Sequence, residues 1–382
     1  MNNSLSSGAT PDRGRTARRT FWAVLPLYLL VAFEFVYMCS PFAGYLYGVY
    51  GPGLRFLAEH PSLAWLGSVF LPHLVVETRS TVLNLVRPVG VVLFLVGTAG
   101  FVANAVQVYA LKLLRRGAAS GGMYRWVRHP QYASFAAAGL GLLLLWPRVV
   151  AVPVYVAMLF AYFLLARAEE RECLERFGES YAEYLRRTPM FVPGCRGRIA
   201  PQWLVEFGGR GAGKLVLFGV AVAGAVLAAG AVRDWTLGHL YSRFDGTAAW
   251  LSIGRVSEAK LGRVAELVRQ VPATAAFWRH PGADSAPLVY VLPETWYVPE
   301  IPMAVVGDGD HANAPVAENS RYKAIIMATD APGRPDSAGW LRGVRHRRAL
   351  MELLVDPVAG TVDRVAPPPA HAPYEGIPVP LF

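Results

Sequence analysis

Charged residues are scarce in this 382-residue chain, at 17% of the whole, where a soluble domain carries about a quarter. Cysteine is scarcer still. Cys39, Cys173 and Cys195 lie far apart, with no CxxC and no Cys/His spacing, which excludes a disulfide framework and a cysteine-based metal site. No repeat of fixed period is visible. No small-x-small cleavage site follows the apolar run Phe21–Tyr37, and Phe35-Val-Tyr-Met-Cys39 is a poor lipobox. A cleaved leader is therefore not expected, and the run reads as a retained anchor preceded by a cytosolic tail.

What the chain has is apolar residues, at 54%, gathered in long runs. Runs of that length point to membrane spans. The formal net charge of +10 would raise nucleic acid as a partner in a soluble protein. Here the arginines flank apolar runs, so the positive-inside rule accounts for them and no nucleic-acid partner is expected. Arg13, Arg15, Arg18 and Arg19 precede the first run, Lys112 to Arg128 hold a second group, and Arg167 to Lys214 a third. The segment 51–82 carries only Arg55 and Arg79. This asymmetry predicts one orientation, with the basic segments cytosolic and 51–82 an external loop.

The expected architecture is mainly α: a polytopic bundle of about five spans containing a helical hairpin, followed by a small α+β domain outside the membrane. Residues 1–20 form the polar tail. Residues 21–212 form the membrane core, with spans near 21–44, 83–114, 135–146 and 149–166 and cytosolic segments 115–134 and 167–212. Residues 213–234 are the fifth span, and 235–382 the extracytoplasmic domain. A bacterial inner or plasma membrane fits this plan. Trp146-Pro147-Arg148 breaks the third apolar stretch, so two helices meeting at a tight turn are expected there. Within 235–382, Val256–Val268 reads as an amphipathic helix and Leu288–Leu292, Ala324–Ala328 and Leu350–Val355 as strands, with a hairpin turn at Asp356-Pro-Val-Ala-Gly360.

Several polar residues invite functional readings that the context does not carry. Glu34, inside the first span, reads as a buried, hydrogen-bonded or protonated carboxylate. His73 and Glu77 are four apart and could share a helix face, but one such pair is no metal site. Gly208-x4-Gly213-Lys214 approaches a phosphate-binding loop, yet Leu215 replaces the required Ser/Thr. Arg279-His280-Pro281 repeats a triplet found at Arg128-His129-Pro130 without its surroundings. Arg342, Arg345, His346, Arg347 and Arg348 form a basic patch; a solvated loop is expected, with contact to anionic headgroups left open.

Two blocks bracket the hairpin. The first is Gly122-Met-Tyr124-Arg125-Trp-Val-Arg128-His129-Pro130-Gln131-Tyr132. The second is Glu169-Glu170-x-x-Cys173-x-x-x-Phe177-Gly178-x-x-Tyr181-x-x-Tyr184, followed by Thr188-Pro189. Pro130 suits the first turn of a helix, whose free N–H groups can hold a carboxylate. His129 and Tyr132 are three apart and can face one pocket. If the chain folds back at Trp146-Pro147, these residues meet Glu169 and Glu170. Carboxylates for an ammonium, N–H groups for a carboxylate and aromatic rings for a flat cation suit a zwitterionic, positively charged cofactor. Asn104 and Gln107 share a face near the same end of the preceding span.

Taken together the blocks resemble the isoprenylcysteine carboxyl methyltransferase family and its relatives among membrane phospholipid N-methyltransferases. That family shows R-H-P-x-Y, an apolar hairpin, then E-E-x-x-L-x-x-x-F-G-x-x-Y-x-x-Y and a following Pro. The likeness covers about residues 85–195. It implies S-adenosylmethionine as cofactor and a lipid-like or small-molecule methyl acceptor, with membrane lipids as surroundings. It implies that Tyr124, His129, Pro130, Gln131 and Tyr132 contact the cofactor, that Glu169 binds its amino group and that Glu170 supports it. By the same likeness Gln107 and the loop Arg116–Ala119 line its access side, and Arg167 orients an anionic substrate. Arg167 and Glu170 are thus the catalytic candidates. Cys173 stands where the family has Leu, Ala133 where a Gly often follows the Tyr, and 235–382 has no counterpart. Arg125, Arg128, Arg171 and Arg186 read equally as membrane anchors or ligands, and Tyr181 and Tyr184 as interface or packing residues.

Three functions remain open at this stage. One is O-methylation of an isoprenylcysteine carboxylate; another is methylation of a lipid amine or small thiol on the same architecture. The third is a non-catalytic anchor or sensor whose C-terminal domain binds a partner. The acceptor, the oligomeric state and the role of the last segment are not encoded in these motifs. A soluble Rossmann enzyme is disfavoured, because no Gly-x-Gly follows a predicted strand.

Overall fold

The structure, a computed structural model, describes residues 47–113, 121–194, 211–279, 286–298, 301–305, 321–345, 347–370 and 380–382. The expected first span with Glu34, the tail 1–20, the loop Arg116–Ala119, Cys39 and Cys195 lie outside those residues.

Three described helices are long and apolar enough to cross a membrane. They are α2 (Thr81–Leu113), α4 (Ala151–Phe177) and α6 (Gly211–Gly238). On α6, Leu215 is 72% and Leu227 74% exposed; a helix showing that much Leu and Val needs lipid, not water, around it. A five-span bundle is not what the described residues contain. α3 (Pro130–Leu145) is apolar, but its 16 residues reach only about 24 Å, short of a hydrocarbon core of about 30 Å.

The segment 51–82 is not a plain loop. Tyr47–Glu59 forms α1, and the stretch that follows is held by Phe70 N–H on Pro147 O and by Val76 N–H on Ile253 O. His73 and Glu77 do not share a helix: His73 Nδ1 lies 3.0 Å from the Leu145 carbonyl, and Glu77 pairs with Arg255 at 2.9 Å.

α2 and α3 touch backbone to backbone because glycines line the seam. A Cβ on Gly141 would lie 2.5 Å from Phe94 N and 2.6 Å from Gly90 O, and one on Gly97 would lie 2.7 Å from Ser134 O. Small residues replace hydrophobic driving force in helix association within lipid. α3 then ends where the sequence breaks. Phe70 N–H donates to Pro147 O at 2.9 Å, Val149 N–H to Ser68 O at 2.8 Å, and the buried Arg148 guanidinium to Gly67 O at 2.8 Å. The turn is thereby held, and α4 runs back alongside α3 and against α6, where Phe160 and Phe218 meet at 5.4 Å between ring centroids. The second arm runs on past the expected span end at 166. It continues through both glutamates to Phe177, and α5 (Glu179–Arg187) follows after Gly178, whose φ of +57° suits only glycine.

Beyond α6 lies a six-stranded sheet in sequence order, β1 (Ser242–Phe244), β2 (Ala249–Ser252), β3 (Leu288–Pro293), β4 (Tyr322–Thr329), β5 (Arg347–Asp356) and β6 (Thr361–Ala366). Only the β2–β3 pair is parallel. Its crossover contains α7 (Glu258–Gln270), capped by Ser257 Oγ accepting the Lys260 N–H at 3.2 Å. Alternation along β3 divides the core: Val289 and Val291 face α7, whereas Leu288, Tyr290 and Leu292 face the opposite layer. That layer is built from Val69, Leu74 and Val75, the α6 end at Leu237 and Leu240, and the C-terminal Leu381 and Phe382. The sheet is therefore docked at the hairpin-turn end of the bundle.

Candidate active site

At the other end of the hairpin, about 24 Å from that turn by the rise of α3, the two sequence blocks meet. His129 caps α3, and its imidazole lies between the two glutamates. Nε2 is 3.2 Å from Glu170 Oε1, and Nδ1 is 3.4 Å from Glu169 Oε2. Tyr132 donates its hydroxyl to Glu169 Oε1 at 2.5 Å. Arg128 Nη1 reaches Glu170 Oε1 at 2.9 Å, and Arg167 Nη1 reaches Glu170 Oε2 at 3.8 Å. The two carboxylates are not equivalent: the Glu170 side chain is 5% exposed and that of Glu169 51%. Their places follow from the helix. Met158, Tyr162, Ala166 and Glu170 recur every four residues and are all buried, so Glu170 faces the bundle and Glu169 its rim.

The remaining predicted residues gather around this pair. Tyr124 is buried; its carbonyl accepts the Tyr184 hydroxyl at 2.7 Å, and its phenol lies within electrostatic reach of Glu169. Gln131 Nε2 is 3.4 Å from the carbonyl of Asn104, itself 1% exposed. Gln107 joins through the loop, donating to Gly121 O at 2.9 Å. The next residue, Gly122, has φ +60°, and a Cβ there would lie 2.8 Å from Gln107 Oε1. Pro130 occupies the first turn of α3 as expected.

Two residues are ambiguous in the sequence and resolved by the structure, and one segment carries no motif. Tyr184 ties α5 to the first block rather than merely packing. Arg128, equally anchor or ligand on sequence grounds, is an ion-pair partner of Glu170. That segment is the strap after α5: Arg128 N–H donates to Pro189 O at 2.9 Å, His129 N–H to Met190 O at 3.1 Å, and Phe191 lies 5.9 Å from the His129 ring. The apolar pair following Thr188-Pro189 was its available signal. Tyr162 completes an aromatic row, 5.2 Å from Tyr132.

Burial raises the Tyr124 phenol and pushes that of Tyr184 up to about 12, so both remain hydrogen-bond donors at neutral pH. Burial acts on His129 in the lowering direction, but hydrogen bonds and charges from Glu169 and Glu170 outweigh it and leave its pKa raised above 6.5. A raised folded-state pKa gives stability that is complete below the unfolded value and lost as pH rises through the folded one. The unfolding midpoint of the wild type is thus expected to fall as pH climbs above about 6.5, and His129→Gln to flatten that slope. Equal slopes in thermal melts would refute the imidazolium assignment.

No group of three His, Cys, Asp or Glu able to hold a metal occurs among the described residues. Fold and site together define a membrane helical hairpin with a paired-carboxylate cluster at its open end. Residues 88–180 match the family model described as phospholipid methyltransferase, and the resemblance drawn from the two blocks is borne out over that segment. The match points to a membrane methyltransferase. No curated protein and no solved structure gives a significant match to the chain.

Proposed function

We propose that this chain is an integral-membrane methyltransferase that uses S-adenosylmethionine and methylates a lipid-like or membrane-accessible acceptor. The observation that carries this reading is the half-exposed Glu169 carboxylate at the rim, beside the buried Glu170, His129 and the start of α3. The donor set fits the cofactor. Glu169 would bind its ammonium, the Gln131 and Tyr132 N–H groups in the first turn of α3 its carboxylate, and the rings of Tyr124 and Tyr132 its cationic and flat parts. Gln107 and the Gly121–Gly122 turn would close the loop side. When bound, this cofactor supplies a sulfonium methyl as electrophile.

The chain's own residues supply alignment and a water-poor pocket. Glu170 would act by holding Arg128 and His129 in place. Arg167, with its side chain 63% exposed, is free to turn toward an anionic acceptor. A carboxylate or thiolate arrives ionised and needs no base. A lipid amine is the second reading, favoured by the description of the matched family; there Glu170 or deprotonated His129 would take the proton.

Replacing Glu169 with Ala is expected to weaken cofactor binding by at least about tenfold, the worth of a charge-assisted hydrogen bond. Titration calorimetry on the purified full chain reads this directly, and an unchanged Kd refutes the assignment. Incubating membranes with methyl-labelled cofactor then separates the acceptors: label in prenylated protein, in phospholipid or in soluble thiols.

A further inference from the structure

The basic residues beside the glutamates follow the orientation bias of membrane proteins. A second basic cluster sits at the opposite end of the bundle, where that bias gives no reason for it. Between the last turns of α6, the stretch before α2 and the start of β5 lies a cleft open to solvent, with only about 10 Å³ of enclosed space at its floor. Gly67, Ser68, Arg233, Val344, Arg345 and Arg347 line it. Arg342, Arg345 and Arg347 all lie within electrostatic reach of Arg233, as does Asp234. The carboxylates beside them are engaged: Asp234 pairs with Arg342 at 2.7 Å, and Asp330 accepts the Arg345 backbone N–H at 2.9 Å.

Arg233 is the odd member. Its Nε is buried and meets no acceptor among the described residues, and its Nη1 has only the long 3.4 Å contact to Arg342 O. Gathering like charges at a partly buried site costs free energy unless an anion offsets it. A planar guanidinium with N–H groups to spare is matched to phosphate oxygens. Depth points the same way. Arg233 stands 22 positions after Gly211 on α6, about 33 Å along the axis, where a crossing helix leaves the hydrocarbon and enters the headgroup layer. The sequence patch at 342–348 is therefore not simply a solvated loop: Arg347 opens β5 and lines this pocket.

We infer that the open mouth of the cleft formed by Arg233, Arg345 and Arg347 binds a phosphate group, at the face of the bundle opposite the glutamate pair. This goes beyond the methyltransferase reading and does not depend on it. Phospholipid headgroups and soluble phosphate share the required chemistry, and the test separates them. The full chain, purified in detergent and stripped of lipid, is titrated with short-chain phosphatidylglycerol or with inorganic phosphate, against sodium chloride at equal ionic strength. The readout is the unfolding midpoint. A rise with phosphatidylglycerol alone identifies the headgroup as source, and a rise with both identifies phosphate itself. Arg233→Gln and Arg345→Gln should each raise the half-saturating concentration about tenfold, the loss of one charge-assisted contact. Because Arg345 is exposed, its variant keeps the test decisive if Arg233→Gln does not fold. A wild type that responds no more than to chloride, or an Arg345→Gln protein that titrates like wild type, overturns the inference.

Discussion

Glu170→Ala is expected to cost about 3–5 kcal/mol of stability, the penalty for removing one partner of a buried ion pair, and to reduce methyl transfer at least about a hundredfold, as small misplacements of reacting groups do. The expectation rests on geometry. Glu170 is almost fully buried and takes His129 at 3.2 Å and Arg128 at 2.9 Å. Without it, the buried His129 and the half-buried Arg128 lose their counter-charge. Arg167, at 3.8 Å and largely exposed, contributes little to this. Glu170→Gln keeps the shape and one acceptor oxygen, so its loss should be intermediate. Thermal melts and single-turnover methylation of the detergent-purified protein measure both effects. A Glu170→Ala protein that melts and reacts like wild type would remove Glu170 from the site.

The second large effect concerns the seam that brings the two blocks together. Gly141→Leu should cost more than about 3 kcal/mol, above the usual range for overpacking, because the obstruction is backbone. The new Cβ would sit 2.5 Å from Phe94 N, which cannot turn aside as a side chain can. The expected result is loss of monodisperse protein on size exclusion. Gly219→Leu on α6 is the control: a Cβ there meets nothing within 4 Å, and yield should not change. If both variants behave like wild type, α2 and α3 do not pack as described.

Parts of the molecule were legible before the structure, for identifiable reasons. Leu288–Leu292, Ala324–Ala328 and Leu350–Val355 are rich in residues that favour strands, and each falls within an observed strand. β1 and β2 were not read, being three and four residues long, too short for a periodic signal. β6 follows from the turn at Asp356–Gly360, where Asp356 Oδ1 accepts the Val358 and Ala359 N–H groups. The break at Trp146-Pro147 was legible because proline cannot continue a helix. The apolar run places the first arm at 135–146, whereas the helix starts five residues earlier at Pro130, because its opening residues include the polar Gln131 and Ser134.

The sequence by itself determined the helical, lipid-facing character of the chain, the fold-back of its hairpin and the residue types collected in the two blocks. Those properties reside in composition, in a local break and in short-range spacing, which a linear chain carries openly. Tertiary structure alone decided which glutamate is buried, how closely α2 and α3 approach, which strap closes over His129 and where the far arginines gather. Each of these depends on contacts between residues dozens to hundreds of positions apart, such as Arg345 Nη1 with Pro61 O at 3.0 Å. No periodicity encodes such pairs, because they exist only once the intervening chain has been placed.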